Sequence, residues 1–312
     1  MESKKSEPIL TYNDEHIIPQ LARGQKLYHY TSATGLKGIC EGEFWITERA
    51  FLNDVKEFQV ATQLFCEIVD KYIKNPAIAI KVKDKICNEV DMISNPGTDD
   101  EDIYCGDYVI SFSLDKDSIL LWSEYSDFFG YCMEFDGGKL IDMFNKKNEY
   151  RFLHGQVIYD QNEQIKIIEN TIQKEIFEDE NAFNNINSWD DFNYIDEDAL
   201  EDISKWLSIF LLEFNMFFKL ECFSGEHEYR FIFMSSHDNK AFKKDVEQQF
   251  FRVKNEVLIP YIRKEVVSLE SLESVIIGPK NKSDIAEKGL KSFFRNMKLK
   301  VDVQSSKMPI RY

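Results

Sequence analysis

Three short stretches of this chain hold residues whose types and spacing suit chemistry. The first is Tyr28-His29-Tyr30-Thr31-Ser32. As a strand it puts Tyr28 and Tyr30 on one face and His29 and Thr31 on the other. An imidazole so placed can donate to a ligand hydroxyl near neutral pH; a core histidine bonded to a neighbouring carbonyl fits the same pattern. The second stretch runs from Ser111-Phe112-Ser113 to Leu121-Trp122-Ser123-Glu124-Tyr125. Ser111 and Ser113 share a strand face, and Tyr125 lies four residues beyond Leu121 on a helix. A tyrosine ring beside a serine suits stacking of a flat ligand ring, and plain core packing is the alternative. The third is Glu226-His227-Glu228-Tyr229-Arg230. On a strand, alternation gives Glu226, Glu228 and Arg230 one face, which strand interiors rarely carry unless that face is wet or acts on something. An ion pair of Glu228 with Arg230 is the simpler reading.

Smaller features flank these. Asn53 and Asp54 either stand over the same cleft or cap the helix that follows. The turn after Ser274-Val275-Ile276-Ile277-Gly278-Pro279 either approaches a phosphate or is an ordinary strand-to-helix turn. Paired carboxylates raise the question of a metal, but no histidine or aspartate spacing supports a dedicated cage.

The elements that must position these residues follow from pattern. Strand, helix and strand are predicted over residues 27–47. Residues 51–58 read as a loop and cap in which Asn53 or Asp54 bonds free N–H groups, and the spacing of Phe58, Ala61, Phe65, Ile68, Val69 and Tyr72 predicts a helix that follows to about Ile73. A second helix follows to about Ile93. Strands are predicted at 107–114, 130–136, 152–160 and 226–234, with a helix over 116–127. Residues 162–220 read as an acidic, helical insertion. Strands at 249–253, 256–262 and 273–279, a helix over 283–296 and a final strand close the chain. Helices interrupt strands that form no regular βαβ series, so the expected class is α+β, a mixed and largely antiparallel sheet decorated by helices. Residues 1–24 read as a loosely ordered N-terminal segment and 25–312 as a single domain.

Composition narrows the function classes. At 312 residues with 43% apolar content the chain has enough material for a sizeable core. A net charge of −17 argues against an unspecific nucleic-acid coat or an anionic-membrane binder. The basic stretch over 280–300 is either a local docking patch or a solvated helix face. Six scattered cysteines without a C-x-x-C pair read as reduced thiols. No apolar leader opens the chain, and Trp206–Phe218, with Glu213 and Asn215 inside it, reads as a buried helix rather than a span. A cytoplasmic protein is expected.

The ordered set of motifs resembles a bacterial family, domain-of-unknown-function 2971. It comprises Leu27-Tyr28-His29-Tyr30-Thr31, Phe51-Leu52-Asn53-Asp54 with Glu57, and Ser111-Phe112-Ser113. Leu121-Trp122-Ser123-x-Tyr125 with Gly130, Glu226-x-Glu228-Tyr229-Arg230 and Val275-Ile276-Ile277-Gly278-Pro279 complete it. That family is in turn similar to His-Tyr-Glu type ADP-ribosyltransferases, whose core is a split mixed β-sheet. The resemblance implies NAD as the substrate and His29, Tyr125 and Glu228 as the catalytic set, with Glu226 an alternative carboxylate. It implies His29, Tyr30, Thr31, Asn53, Ser113, Tyr125 and Arg230 around NAD, with no metal. The acceptor would be a macromolecule, RNA, DNA or protein, in a toxin or anti-phage effector with an antitoxin or inhibitor protein as partner. The E-x-E spacing is also similar to the arginine-modifying branch, which leaves the target class open. The rivals are a NAD glycohydrolase with water as acceptor, a nucleotide-binding module without turnover, and an adaptor.

Overall fold

The structure is a computed structural model that describes residues 18–52, 58–94, 107–145, 151–178, 183, 186–234, 249–254, 256–265, 269–281 and 284–310. Ten strands form one sheet: β1 (Lys26–Thr31), β2 (Glu43–Glu48), β3 (Tyr108–Ser113), β4 (Tyr131–Asp136), β5 (Arg151–Gln156), β6 (Glu228–Met234), β7 (Phe250–Lys254), β8 (Val257–Glu265), β9 (Leu272–Ile277) and β10 (Asp302–Ser305). All neighbours are antiparallel except β9 and β10. The helices among the described residues are α1 (Ala33–Cys40), α2 (Val60–Tyr72), α3 (Pro76–Ser94), α4 (Ile119–Ser126), α5 (Gly137–Asn145), α6 (Gln161–Ile172), α7 (Glu197–Phe217) and α8 (Asp284–Asn296). The α+β class, with a mixed sheet, is as the sequence predicts.

The sheet forks at β3. One edge of β3 pairs along its whole length with β6, Tyr108↔Phe233 through Ser113↔Glu228. The other edge is shared: β2 holds its start, at Thr47↔Val109 and Glu48↔Tyr108, and β1 only its end, at Tyr28↔Ser113. Between these points the ladder gives Ser111 no partner on that edge. From the fork one branch runs β1-β4-β9-β10 and the other β2-β8-β7.

Cross-strand partners share a face, so the registers sort the side chains. Leu27, Phe112, Met133, Phe135, Tyr229 and Phe231 line one face, where Leu36 and Ile39 of α1, Leu140 and Phe144 of α5 and Leu290 and Phe294 of α8 cover them. The opposite face carries two separate apolar clusters. Over β5, β6 and the start of β3, helices α2, α3, α6 and α7 bury Val109, Leu153 and Ile232. Over β1, β4 and β9, α4 buries Tyr30, Cys132 and Ile276 against Leu121 and Trp122. The strip between them holds Ser111, Ser113, Glu228 and Arg230.

Local chemistry sets the boundaries. Ser32 accepts from Gly35 N–H and starts α1, which uses up its hydroxyl as a cap. α2 begins at Val60, after Gln59, and its Ala61 and Thr62 N–H groups donate to Asn215 Oδ1; Asn53 and Asp54, the caps the sequence predicts, lie outside the described residues. α5 was not predicted: Gly137 and Gly138 open it and mask its helical signal. Residues 162–220 contain α6, a π-turn over Gln173–Phe177 and the buried α7. Ile18 is buried in the helical cluster, and Gln20 bonds the His154 carbonyl, so the described chain is anchored to β5 from its first residue.

Candidate functional site

The predicted chemical residues divide between the polar strip and the fork, where His29, opposite Met133, shares the other face of the sheet with Phe112. Glu228 opens β6 and is 6% exposed, and Arg230 behind it is fully buried. Arg230 grips the carboxylate with both ends of its guanidinium, Nε to Oε1 at 2.8 Å and Nη2 to Oε2 at 3.0 Å, and its Nη1 donates to the Met216 carbonyl. Ser111 Oγ donates to Glu228 Oε1, and Lys219 Nζ reaches Oε2 at 3.3 Å. Burial pushes the Glu228 carboxyl up, but the Arg230 and Lys219 charges and the hydrogen bonds from Arg230 and Ser111 outweigh it and hold it at about 2. Glu228 is therefore an ionised carboxylate with both oxygens occupied.

Glu226 differs in place and partners. Alternation predicts it on the same strand face as Glu228, yet β6 starts only at Glu228. Glu226 ends a 3₁₀ turn over Glu221–Glu226, and His227, left-handed at φ 41°, redirects the chain. Lys219 Nζ still joins the two carboxylates, 2.7 Å from Glu226 Oε2. Tyr125, on α4 and 38% exposed, donates its hydroxyl to Glu226 Oε1 at 3.2 Å. Glu226, its side chain 12% exposed, and the exposed Tyr125 thus form the outer end of the cluster, and Glu228 and Arg230 form its buried floor.

His29 sits at the fork. Its Nδ1 lies 3.0 Å from the Ser111 carbonyl oxygen, the acceptor left without a strand partner, and its ring packs 5.4 Å from Phe112. A carbonyl only accepts, so Nδ1 carries the proton and Nε2 presents a lone pair. Burial pulls the imidazole down, the Ser111 bond pushes it up and the Arg252 charge lowers it further, to about 4. The neutral ring accepts at Nε2, where the sequence suggested a donor. His29 contacts neither glutamate nor Tyr125 directly. It is joined to them by a chain of contacts: its bond to the Ser111 carbonyl, the Ser111 hydroxyl on Glu228, Lys219 between Glu228 and Glu226, and Tyr125 on Glu226.

The other predicted positions serve as frame. The Tyr30 hydroxyl donates to the Asp115 carbonyl and accepts from Ser118 N–H, while its ring packs on Trp122, so this side chain holds α4 to β1. Ser113 donates to the Glu226 carbonyl and fixes the 3₁₀ turn. Thr31 ends β1, with its hydroxyl against Gly35. Asn53 lies outside the described residues. Gly130 is needed because a Cβ there would run into the Thr31 carbonyl and the Ser126 side chain, where α4 returns to the sheet.

Lys219 and Tyr159, whose hydroxyl accepts the Glu228 N–H at 3.1 Å, carry no signal in the sequence reading. A lysine after a greasy helix reads as surface, and only its burial between two carboxylates, at 6% exposure, marks it. Among the described residues no group of three or more His, Cys, Asp or Glu gathers as a metal site, and no helix is long and apolar enough to cross a membrane.

A family model described as a protein of unknown function (DUF2971) matches residues 121–231. The match includes Tyr125, Lys219, Glu226, Glu228 and Arg230, whereas His29, Asn53, Ser111 and Ser113 precede it. No curated protein and no solved structure matches the chain.

Proposed function

We propose that this chain is an ADP-ribosyltransferase that moves ADP-ribose from NAD to a macromolecular acceptor, on a forked sheet of the split ADP-ribosyltransferase type. The observation that carries the reading is the connected contact chain from His29 through Ser111, Glu228 and Lys219 to Glu226 and Tyr125. It links the three residue types that the resemblance implies, from opposite ends of the sequence. The cytoplasmic setting of a toxin or anti-phage effector, with an inhibitor protein as partner, belongs to the same proposal and rests on the resemblance alone.

In this reading the bond from ribose C1′ to the nicotinamide nitrogen breaks and its electron pair leaves with nicotinamide, through an oxocarbenium-like state. Of the two glutamates, Glu226 is the working carboxylate, because Glu228 has no oxygen to spare. Glu226 stabilises the positive charge at C1′ and takes the proton of the incoming nucleophile as the new C1′ bond forms. His29 Nε2 accepts from a ribose hydroxyl and fixes orientation. The exposed Tyr125 ring stacks on nicotinamide. Lys219 and Glu228 are positioning residues that hold Glu226 in place.

The test is transfer of label from adenylate-labelled NAD into macromolecules of a bacterial lysate. Wild type should label an acceptor, and Glu226→Gln should not. Free labelled ADP-ribose without a labelled acceptor would make the chain a NAD glycohydrolase. Unchanged NAD, or equal labelling by Glu226→Gln, would overturn the assignment.

A further inference from the structure

Three arginines of this chain pair with acids: Arg49 with Asp107, Arg230 with Glu228 and Arg263 with Glu43. Arg252 on β7 does not. Its side chain crosses β8 to the fork branch of β2, where Nη2 donates to Thr47 Oγ1 at 2.8 Å. Its Nε is buried and bonded to nothing, and no carboxylate among the described residues pairs with it. A half-buried guanidinium without a counter-charge is costly to keep, and a bound anion offsets that cost.

The surroundings suit an oxyanion. Thr47 is buried, and a hydroxyl whose oxygen accepts from Arg252 still carries a proton it can donate. Thr47 opposes Val109, two residues and about 7 Å along β3 from Ser111, the residue whose edge the fork leaves open. A planar guanidinium with a free Nε and a neighbouring hydroxyl matches the tetrahedral oxygens of a phosphoryl group.

We propose that Arg252 and Thr47, at the fork of the sheet, bind a phosphoryl oxyanion. That this oxyanion is the diphosphate of NAD rests on the function proposed above; the anion site itself does not.

Calorimetric titration of the full chain at low salt tests it with three probes: pyrophosphate, ADP-ribose and adenosine. Wild type should bind pyrophosphate and ADP-ribose, and Arg252→Gln should bind both about tenfold or more weakly, the usual cost of losing a hydrogen bond to a charged group. Adenosine binding should not change. Arg252→Lys, which keeps the charge without the Nε fork, is the second variant and should bind pyrophosphate several-fold more weakly than wild type. Because the cation is uncompensated in the free protein, Arg252→Gln should also melt no lower than wild type. If wild type binds ADP-ribose and both variants match it, the anion site is wrong while the NAD reading survives. If pyrophosphate binds through Arg252 but ADP-ribose does not bind, the site stands and the NAD reading falls. If wild type binds neither, both are overturned.

Discussion

Replacing Glu228 with glutamine separates a structural carboxylate from a chemical one. Glu228 is buried, accepts from Arg230 at both oxygens and also meets Ser111 and Lys219. An amide there turns one acceptor into a donor aimed at cations and leaves a buried guanidinium without its counter-charge. Removing one partner of such a pair costs about 3–5 kcal/mol. The pH linkage gives a matching figure. The folded-state pKa lies at about 2 against an ordinary value of 4.5, so this carboxylate contributes about 3 kcal/mol above pH 4.5 that is lost as pH falls from 4.5 towards 2. For 312 residues the unfolding entropy is about 0.65 kcal/mol/K, so the variant should melt about 5–8 °C lower at pH 7. The gap to wild type should narrow as pH falls below 4.5. Calorimetry across pH 3 to 7, with Glu226→Gln in parallel, reads both. Glu226→Gln should shift melting by about 2 °C or less, since Lys219 keeps Glu228 as its counter-charge and no buried guanidinium is left uncompensated. A Glu228→Gln protein that melts within about 1 °C of wild type yet releases no nicotinamide would refute the reasoning and make Glu228 the working carboxylate.

Three more outcomes follow from named contacts. The His29 ring should stay neutral in an NMR titration until pH falls near 4; because its folded pKa lies below the ordinary 6.5, its contribution to stability is full above pH 6.5 and is lost as pH drops from 6.5 to 4. A ring that protonates near 6.5 would contradict its burial, the cause that pulls it down. Lys219→Met leaves two carboxylates facing each other without their shared cation, so urea unfolding should show a loss of about 3 kcal/mol, with slower nicotinamide release. Gly130→Ala forces a Cβ into the Thr31 carbonyl and Ser126, and should cost about 1–3 kcal/mol by chemical denaturation, whereas the same change at Gly289, where no heavy atom lies within 4 Å, should cost nothing or stabilise the helix.

Much of this architecture is legible in local pattern. The alternation of Tyr28 to Thr31, the β-branched run before Ser111 and the helical spacing after Val60 each specify their element, because burial on one face imposes a period on the residues. The fork is not legible, since it depends on which two strands share the free edge of β3, a non-local choice no period encodes. The turn at Glu226 was misjudged for a local reason: Glu-x-Glu-x-Arg has the strand period, but His227 leaves the strand region of backbone space. Lys219 and Arg252 carried no signal because a lone cation in sequence reads as solvated until its neighbours are known. Arg230 was legible as a partner of Glu228, but its full burial, and with it the loss of Glu228 as a free carboxylate, was not.

The central claim is that Glu226, held by Lys219 and Tyr125, drives cleavage of the bond between ribose and nicotinamide. Release of nicotinamide from carbonyl-labelled NAD, measured for wild type, Glu226→Gln and Tyr125→Ala at pH 7, tests it most directly. The account predicts steady release by wild type, loss of about 100-fold or more in Glu226→Gln with melting preserved, and a smaller loss in Tyr125→Ala. No release by the wild-type protein, or release by Glu226→Gln at the wild-type rate, would contradict it.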